Sequence, residues 1–267
     1  MSEPTTDNTL SQAPTTSTAS STSSSSSSST VYHIYFTSPA HFHFTLSKSP
    51  SKREPLYYVH NSYFTPGKSD MIMHAGPSTS APIIAQCKFV LFSTGTKIGL
   101  GNPAQNNGND IIWEDLTRES KDHSRYRYEL DLDMEVGLDL PDTDTDTAGY
   151  HDEEKEGNGP SQTRIKNHTG RRRAFQWKRT HSVGVDDSKP SKLSLSNYKL
   201  VDEGTGEIVA VFANNGFKSF MKKGKLEIFN CALEGRGKGF EIMVVMGGLA
   251  LMERERRRSM QWRYDQY

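Results

Sequence analysis

The chain is poor in cysteine, in long apolar runs and in net charge, and each shortage excludes something. Its two cysteines, Cys87 and Cys231, each stand in an apolar run and belong to no CxxC or Cys/His spacing. A disulfide framework and a zinc finger are therefore both excluded, and the two residues read as buried, reduced thiols of a reducing compartment. No segment reaches the roughly 20 apolar residues that a spanning helix needs. The N-terminus offers only isolated Leu10 and Ala13 where a secretory signal would place its apolar stretch. These absences point to a cytoplasmic protein, peripheral at a membrane or nuclear, without a transmembrane segment. Lysine plus arginine number 32 and so do aspartate plus glutamate, so no global charge draws the chain to nucleic acid. Aromatic residues are missing from the first 30 positions, of which 20 are Ser or Thr. That segment cannot bury enough apolar surface to offset its ordering entropy, and 1–30 reads as a disordered tail.

Local charge is far from even. From Glu129 to Glu156 the chain carries twelve acidic residues against one lysine, and 138–170 reads as a disordered acidic insertion. Directly after it comes RRRAFQWKRTHS (171–182). Two readings stand at this level: the acidic loop and basic strand shield each other, or the loop is an autoinhibitory flap over a basic binding face.

What remains, 31–259, reads as a single domain of short strands. VYHIYF, HFHFTL, PLYYVH, DMIMHA, PIIAQCKFVLF, TKIGLG, DIIWEDL and HSRYRYELDL precede the insertion; FQWKR, LSNYKLVDE, EIVAVFAN and KLEIFNCAL follow it. They are rich in β-branched and aromatic residues and are separated by turn formers. In LVDEGTGEIVAVF the Gly204–Gly206 turn joins two alternating runs, a hairpin signal. About a dozen strands at this spacing predict a sandwich or a closed barrel.

GFEIMVVMGGLALMERERRRS (239–259) decides between them. Its apolar part, 240–252, is about 20 Å long as a helix and too short to span a bilayer core of about 30 Å. Gly247 and Gly248 in its middle weaken a strand. A helix apolar all round must be enclosed on every side, which a β-barrel with a central helix provides. EGRGKG (234–239) supplies the turn into the lumen. The arginines after Met252 suit a helix C-terminus emerging into water. The expected fold is thus mainly β: a closed antiparallel barrel of about twelve strands around a buried hydrophobic C-terminal helix.

FQWKRTHS, then SNYKLVDEGTGEIVAVFANNGFKSFMKKGKLEIF, then the apolar segment, resemble in their order the second half of an uncharacterised fungal domain family. That family has the tubby C-terminal fold, which LURP-one-related proteins and phospholipid scramblases share. The resemblance covers 172–259, with 31–132 following by pattern. It implies a non-enzymatic tubby-like module that binds anionic phospholipid headgroups, a phosphoinositide above all, reversibly through lysine and arginine. No tubby ligand residue is carried over. The alternative is a protein-interaction scaffold that docks partners on the tail and the insertion, with no lipid role. Scramblases usually add a membrane-embedded or palmitoylated segment, and no cysteine cluster matches one here.

Read from the residues alone, a phosphate-binding face belongs where cations interleave with aromatics: Lys178 and Arg179 beside Trp177, and Lys218, Lys222 and Lys223 in FKSFMKKGK. The competing reading makes them solvated strand edges that discourage aggregation. GRGKG lacks the Walker spacing and reads as a linker. His41 and His43 share a strand face as a metal pair would, but no third ligand follows at fixed spacing, and no metal or other cofactor is expected. Ser182 and Ser259 follow arginines as basophilic phosphorylation sites do. An enzyme would need a constellation such as His181 with Asp186 or Asp187 near Ser182, and sequence proximity does not make a triad.

Overall fold

The two-residue alternation seen in HSRYRYELDL becomes a wall with a dry side and a wet side: Tyr126, Tyr128 and Leu130 are buried while Arg125 and Glu129 stay exposed. The computed structural model describes residues 28–37, 43–50, 54–62, 68–90, 95–104, 108, 110–137, 164–166, 170–185, 196–215 and 221–264. Along the chain these form β1 (Ser29–Phe36), β2 (Phe44–Ser47), β3 (Tyr57–Asn61), β4 (Met71–His74), β5 (Ile83–Phe89), β6 (Thr96–Leu100), β7 (Ile112–Arg118) and β8 (Arg125–Asp131). There follow β9 (Glu135–Gly137), β10 (Arg164–Lys166), β11 (Arg172–Arg179), β12 (Tyr198–Asp202), β13 (Ile208–Asn214), β14 (Lys222–Phe229), α1 (Asn230–Leu233) and α2 (Lys238–Tyr264).

Among the described residues, twelve of the strands close a barrel in the order β1-β14-β13-β12-β11-β8-β7-β6-β5-β4-β3-β2, every pair antiparallel. Closure removes the free edges that an open sheet would present. The hairpin expected at Gly204–Gly206 joins β12 to β13, and Gly206 takes φ 75°, a conformation that glycine adopts at no steric cost. The acidic insertion is not bare at its base: β9 and β10 pair there, Arg164 opposite Gly137. Residues 138–163 and 167–169 of the insertion and the tail 1–27 lie outside the described residues.

The helix runs down the lumen. Phe240, Ile242 through Met246 and Leu249 through Met252 are each at most 2% exposed, packed on Tyr32, Tyr128, Phe175, Trp177 and Leu226 of the inner wall. The expected core segment 240–252 is there, but the helix is twice as long, and it opens to water later than expected: Glu253 is 0% and Arg256 8% exposed, while Ser259 is exposed. KLEIFNCAL was expected as strand to Leu233, yet α1 takes Asn230–Leu233 and turns the chain toward the lumen. Cys87 is buried as expected; Cys231 sits in α1 and is exposed, against the expectation.

Because the strands alternate in direction, the connections divide between two mouths. The lower mouth receives the first turn of α2. There Glu241 accepts from Tyr32 Oη and pairs with Lys238 at 2.5 Å. The upper mouth surrounds the last turns of α2; β1, β3, β5, β7, β11 and β13 end there, and β2, β4, β6, β8, β12 and β14 begin there.

Candidate anion-binding site

Charged helix residues plug the upper mouth. Glu253 accepts Nε of Arg256 at 2.7 Å and Nε of Arg257 at 2.7 Å. Arg257 also pairs with Asp70 at 2.6 Å, donates to Asn61 Oδ1 at 3.0 Å and Ser62 O at 3.1 Å, and lies 4.6 Å from the centre of the Phe89 ring. Arg254 donates to Thr96 Oγ1 at 2.6 Å and covers the Tyr126 ring. A carboxylate at 0% exposure is retained only with such partners, so this stretch of arginines is spent on holding the helix to β3, β4, β5 and β6.

A second group fills the quadrant between the β7–β8 turn and the start of β12. His123, at φ 59°, places its ring among Arg258, Arg118, Arg254 and Arg179. Arg118 donates to His123 Nε2 at 2.9 Å. A guanidinium can only donate, so Nδ1 carries the imidazole proton and donates to Tyr126 Oη at 2.8 Å. Burial, then those four arginines, push the His123 pKa down to about 4 and keep the ring neutral. Glu255 is the shared counter-charge here: Arg258 reaches it at 2.6 Å, Arg179 at 3.8 Å and Tyr198 Oη at 3.1 Å. Against the four arginines around His123 stand Glu255 and, on the turn itself, Asp122, whose carboxylate accepts from Ser124.

The outer wall beside this quadrant carries a row of cations. The register sets Lys178 of β11 directly opposite Arg125 of β8 on one side and Lys199 of β12 on the other. Trp177 points inward at 0% exposure, which turns Lys178 outward. Among the described residues none of the three makes an ion pair. The nearest acid along the row, Glu119 beyond Arg125, accepts from Gln176 instead. Like charges directly opposite on neighbouring strands cost stability, and among the described residues no ion pair offsets that cost in this row.

The predicted residues do not form one face. Lys178 joins the outer row. Arg179 is drawn to Glu255 and donates to the Asp122 and His123 carbonyls at 3.4 Å. Lys222 and Lys223 open β14, which is separated from β11 by β12 and β13, about 14 Å at the usual strand spacing. A register shift in the β1–β14 pairing sets them over different rings, Lys222 over Tyr35 and Lys223 over Phe36. Burial lowers the Lys223 pKa, and Glu253 partly restores it. Lys218 lies outside the described residues. Arg118, Arg125, Lys199, Arg254 and Arg258 were missed, because only strand register and helix placement bring them together.

The basic run after the insertion is already matched by folded acids: Arg171 with Asp133, Arg172 with both oxygens of Glu114 at 2.8 Å, and Arg173 with Asp202. GRGKG holds no open cradle either. Arg236 stacks on Phe240 and Phe175 and reaches Asp202, while Lys238 is held by Glu241. Ser182 is exposed beyond β11, and its N–H donates to Thr180 Oγ1. Ser259 is exposed, but its hydroxyl donates to the Glu255 and Arg256 carbonyls and the preceding arginines are in ion pairs. His43 stacks on His60 with centroids 4.6 Å apart and accepts the Asn61 N–H; His41, Asp186 and Asp187 lie outside the described residues. Among the described residues no group of three His, Cys, Asp or Glu could hold a metal ion, and no helix is long and apolar enough to cross a membrane. No protein-family model, curated protein or solved structure matches the chain.

Proposed function

We propose that the chain is a non-enzymatic, tubby-like binding module that holds anionic phospholipid headgroups, phosphoinositides above all, reversibly at a membrane surface. The observation that carries this reading is the row Arg125, Lys178 and Lys199, which makes no ion pair among the described residues and lies beside the arginine quadrant at the upper mouth. A phosphate on the row would relieve the repulsion between neighbouring strands, so binding and fold pull the same way. Each lysine or arginine near an anionic leaflet contributes on the order of 1 kcal/mol. Three on the row therefore give attachment that reverses easily.

The test is sedimentation with vesicles of phosphatidylcholine, phosphatidylserine and phosphatidylinositol 4,5-bisphosphate at two salt concentrations. Binding that weakens with salt, and that falls roughly a hundredfold on charge reversal by Arg125→Glu, Lys178→Glu and Lys199→Glu together, supports the reading. Binding unchanged in that variant removes it. The scaffold reading then takes over, and one observation favours it: the acidic insertion leaves and rejoins the fold at the β9–β10 pair, beyond β8 at the lower mouth, away from the cationic row.

A further inference from the structure

Closure is thinnest between β7 and β8. Among the described residues their ladder has two pairs, Thr117 with Arg127 and Arg118 with Tyr126, whereas β7 pairs with β6 over five and β8 with β11 over seven. The register says which backbone groups this leaves over. The Ala174 carbonyl accepts the Glu203 N–H, so Ala174 faces β12, and its ladder partner Glu129 turns its own N–H and C=O away from β11 and toward β7. On the other strand the Glu119 N–H donates to the Arg125 carbonyl at 3.0 Å, so Thr117 and Asp115, at two-residue steps, face β8. Asp115 and Glu129 come next in register after Thr117 and Arg127, and the ladder stops before them. Two strand edges thus look at each other across the lower half of the seam without a shared hydrogen bond.

A side-chain pair bridges the opening. Glu114 shares the inner face with Leu116, lies opposite the core residue Ile98 and is 8% exposed. Phe175 and Trp177 point inward, which turns Arg172, an odd number of positions away, outward. Yet Arg172 meets both oxygens of Glu114 at 2.8 Å across β8, and its Nη2 donates to the Glu129 carbonyl at 3.4 Å. An outward guanidinium reaches an inward carboxylate two strands away only where no ladder closes the wall. We infer that this seam is a docking slot for an extended basic peptide, which adds a strand against the open edges of β7 and β8. Backbone groups at strand spacing call for an occupant with backbone groups at the same spacing, which a polypeptide has and a lipid lacks. Charge selects its side chains. The outward positions on the two edges carry the exposed Asp115 and Glu129, with Asp131 next along β8. The cations that answer them form open surface pairs of little strength, Lys97 with Asp115 at 2.9 Å and Arg127 divided between Glu129 and Glu203. A strand sets every second side chain on one face, so lysines or arginines at two-residue steps match the slot. It lies below Thr117, on the opposite side from Arg125 and the cationic row, and stands apart from headgroup binding.

Amide hydrogen exchange of the full chain, read residue by residue by NMR, tests the open seam first. The Asp115 and Glu129 amides should exchange roughly tenfold or more faster than those of Thr117 and Arg127; equal protection overturns the slot. The probe for docking is a fluorescein-labelled hexapeptide of alternating lysine and valine, followed by anisotropy. It should bind, slow exchange at Asp115 and Glu129, and lose affinity roughly tenfold against the double variant Asp115→Lys and Glu129→Lys. Both substituted side chains are exposed, so the fold tolerates the exchange. A version of the peptide methylated on alternate backbone nitrogens should bind at least as poorly, with no change to the protein. A glutamate–valine peptide of the same pattern should not bind. Absence of binding by the lysine peptide, binding of the glutamate peptide, full affinity of the methylated one, or indifference to the charge reversal overturns the proposal. Protection of the two amides that grows with protein concentration, with no peptide added, assigns the edges to a second copy of the chain and overturns it as well.

Discussion

Three glycines of α2 meet the barrel wall at different distances, and exchanging each for alanine separates a swallowed helix from a surface one. A methyl group in a helix interior gains about 1 kcal/mol over glycine wherever space permits. At Gly248 the added Cβ would find its nearest neighbour, Trp177 Cη2, at 3.5 Å, an ordinary contact. Gly248→Ala should therefore stabilise by about 1 kcal/mol and raise Tm by about 2–4 °C. At Gly247 it would stand 3.2 Å from Trp177 Nε1 and 3.4 Å from Tyr128 Oη, so both rings must yield by a few tenths of an ångström. Overpacking of about 1–3 kcal/mol offsets the helix gain and turns the sign to neutral or unfavourable. At Gly239 it would meet the Met134 carbonyl oxygen at 2.7 Å and Leu100 Cδ2 at 2.7 Å, and backbone cannot step aside. A net loss of about 2 kcal/mol is expected there. Urea unfolding of the three variants measures the series. Equal stabilisation at all three positions would refute enclosure, because a helix on the outside has no wall to meet.

Two further predictions concern the upper mouth. Glu253→Ala leaves Arg256 and Arg257 without their shared carboxylate and should cost about 3–5 kcal/mol, whereas Arg258→Ala, at a half-open pair with Glu255, should cost at most about 1; thermal unfolding of both variants checks the contrast. His123 binds no proton in the fold until about pH 4, while the unfolded chain takes one near 6.5. Stability from this group is complete above pH 6.5 and is lost as pH falls toward 4. The whole gap corresponds to about 3 kcal/mol, and partial exposure of the ring reduces it to about 1–2. Subtracting the stability–pH curve of His123→Asn from that of the parent isolates this slope, and a flat difference between pH 4 and 6.5 would refute the assignment.

The strands were legible because each buries one face, so that runs such as RYRYELDL carry a period of two that nothing else in the chain imitates. The helix was legible for the opposite reason: 240–252 has no polar face, and such a segment must be surrounded. Its end was misjudged because sequence does not show which arginines meet a buried acid. Arg256 and Arg257 look like a solvated tail until Glu253, three and four residues earlier, is seen at 0% exposure on the same helix face. Cys231 was misread for a similar reason, since the apolar run around it straddles the change from β14 to α1.

The candidate site was legible only as two cation-rich stretches, and what dissolved them into separate patches was register. Lys178 gains Arg125 and Lys199 as neighbours from positions 53 residues before it and 21 after it, through pairing that no local pattern encodes. Some of this was nevertheless within reach. In a closed antiparallel barrel, connections alternate between the ends, so a correct strand count already assigns every loop to a mouth. The twelve expected strands, counted with the insertion as one crossing, put the ends of β3, β5, β11 and β13 on one rim and the ends of β8 and β14 on the other. Which strand ends share a mouth is thus a property of strand parity.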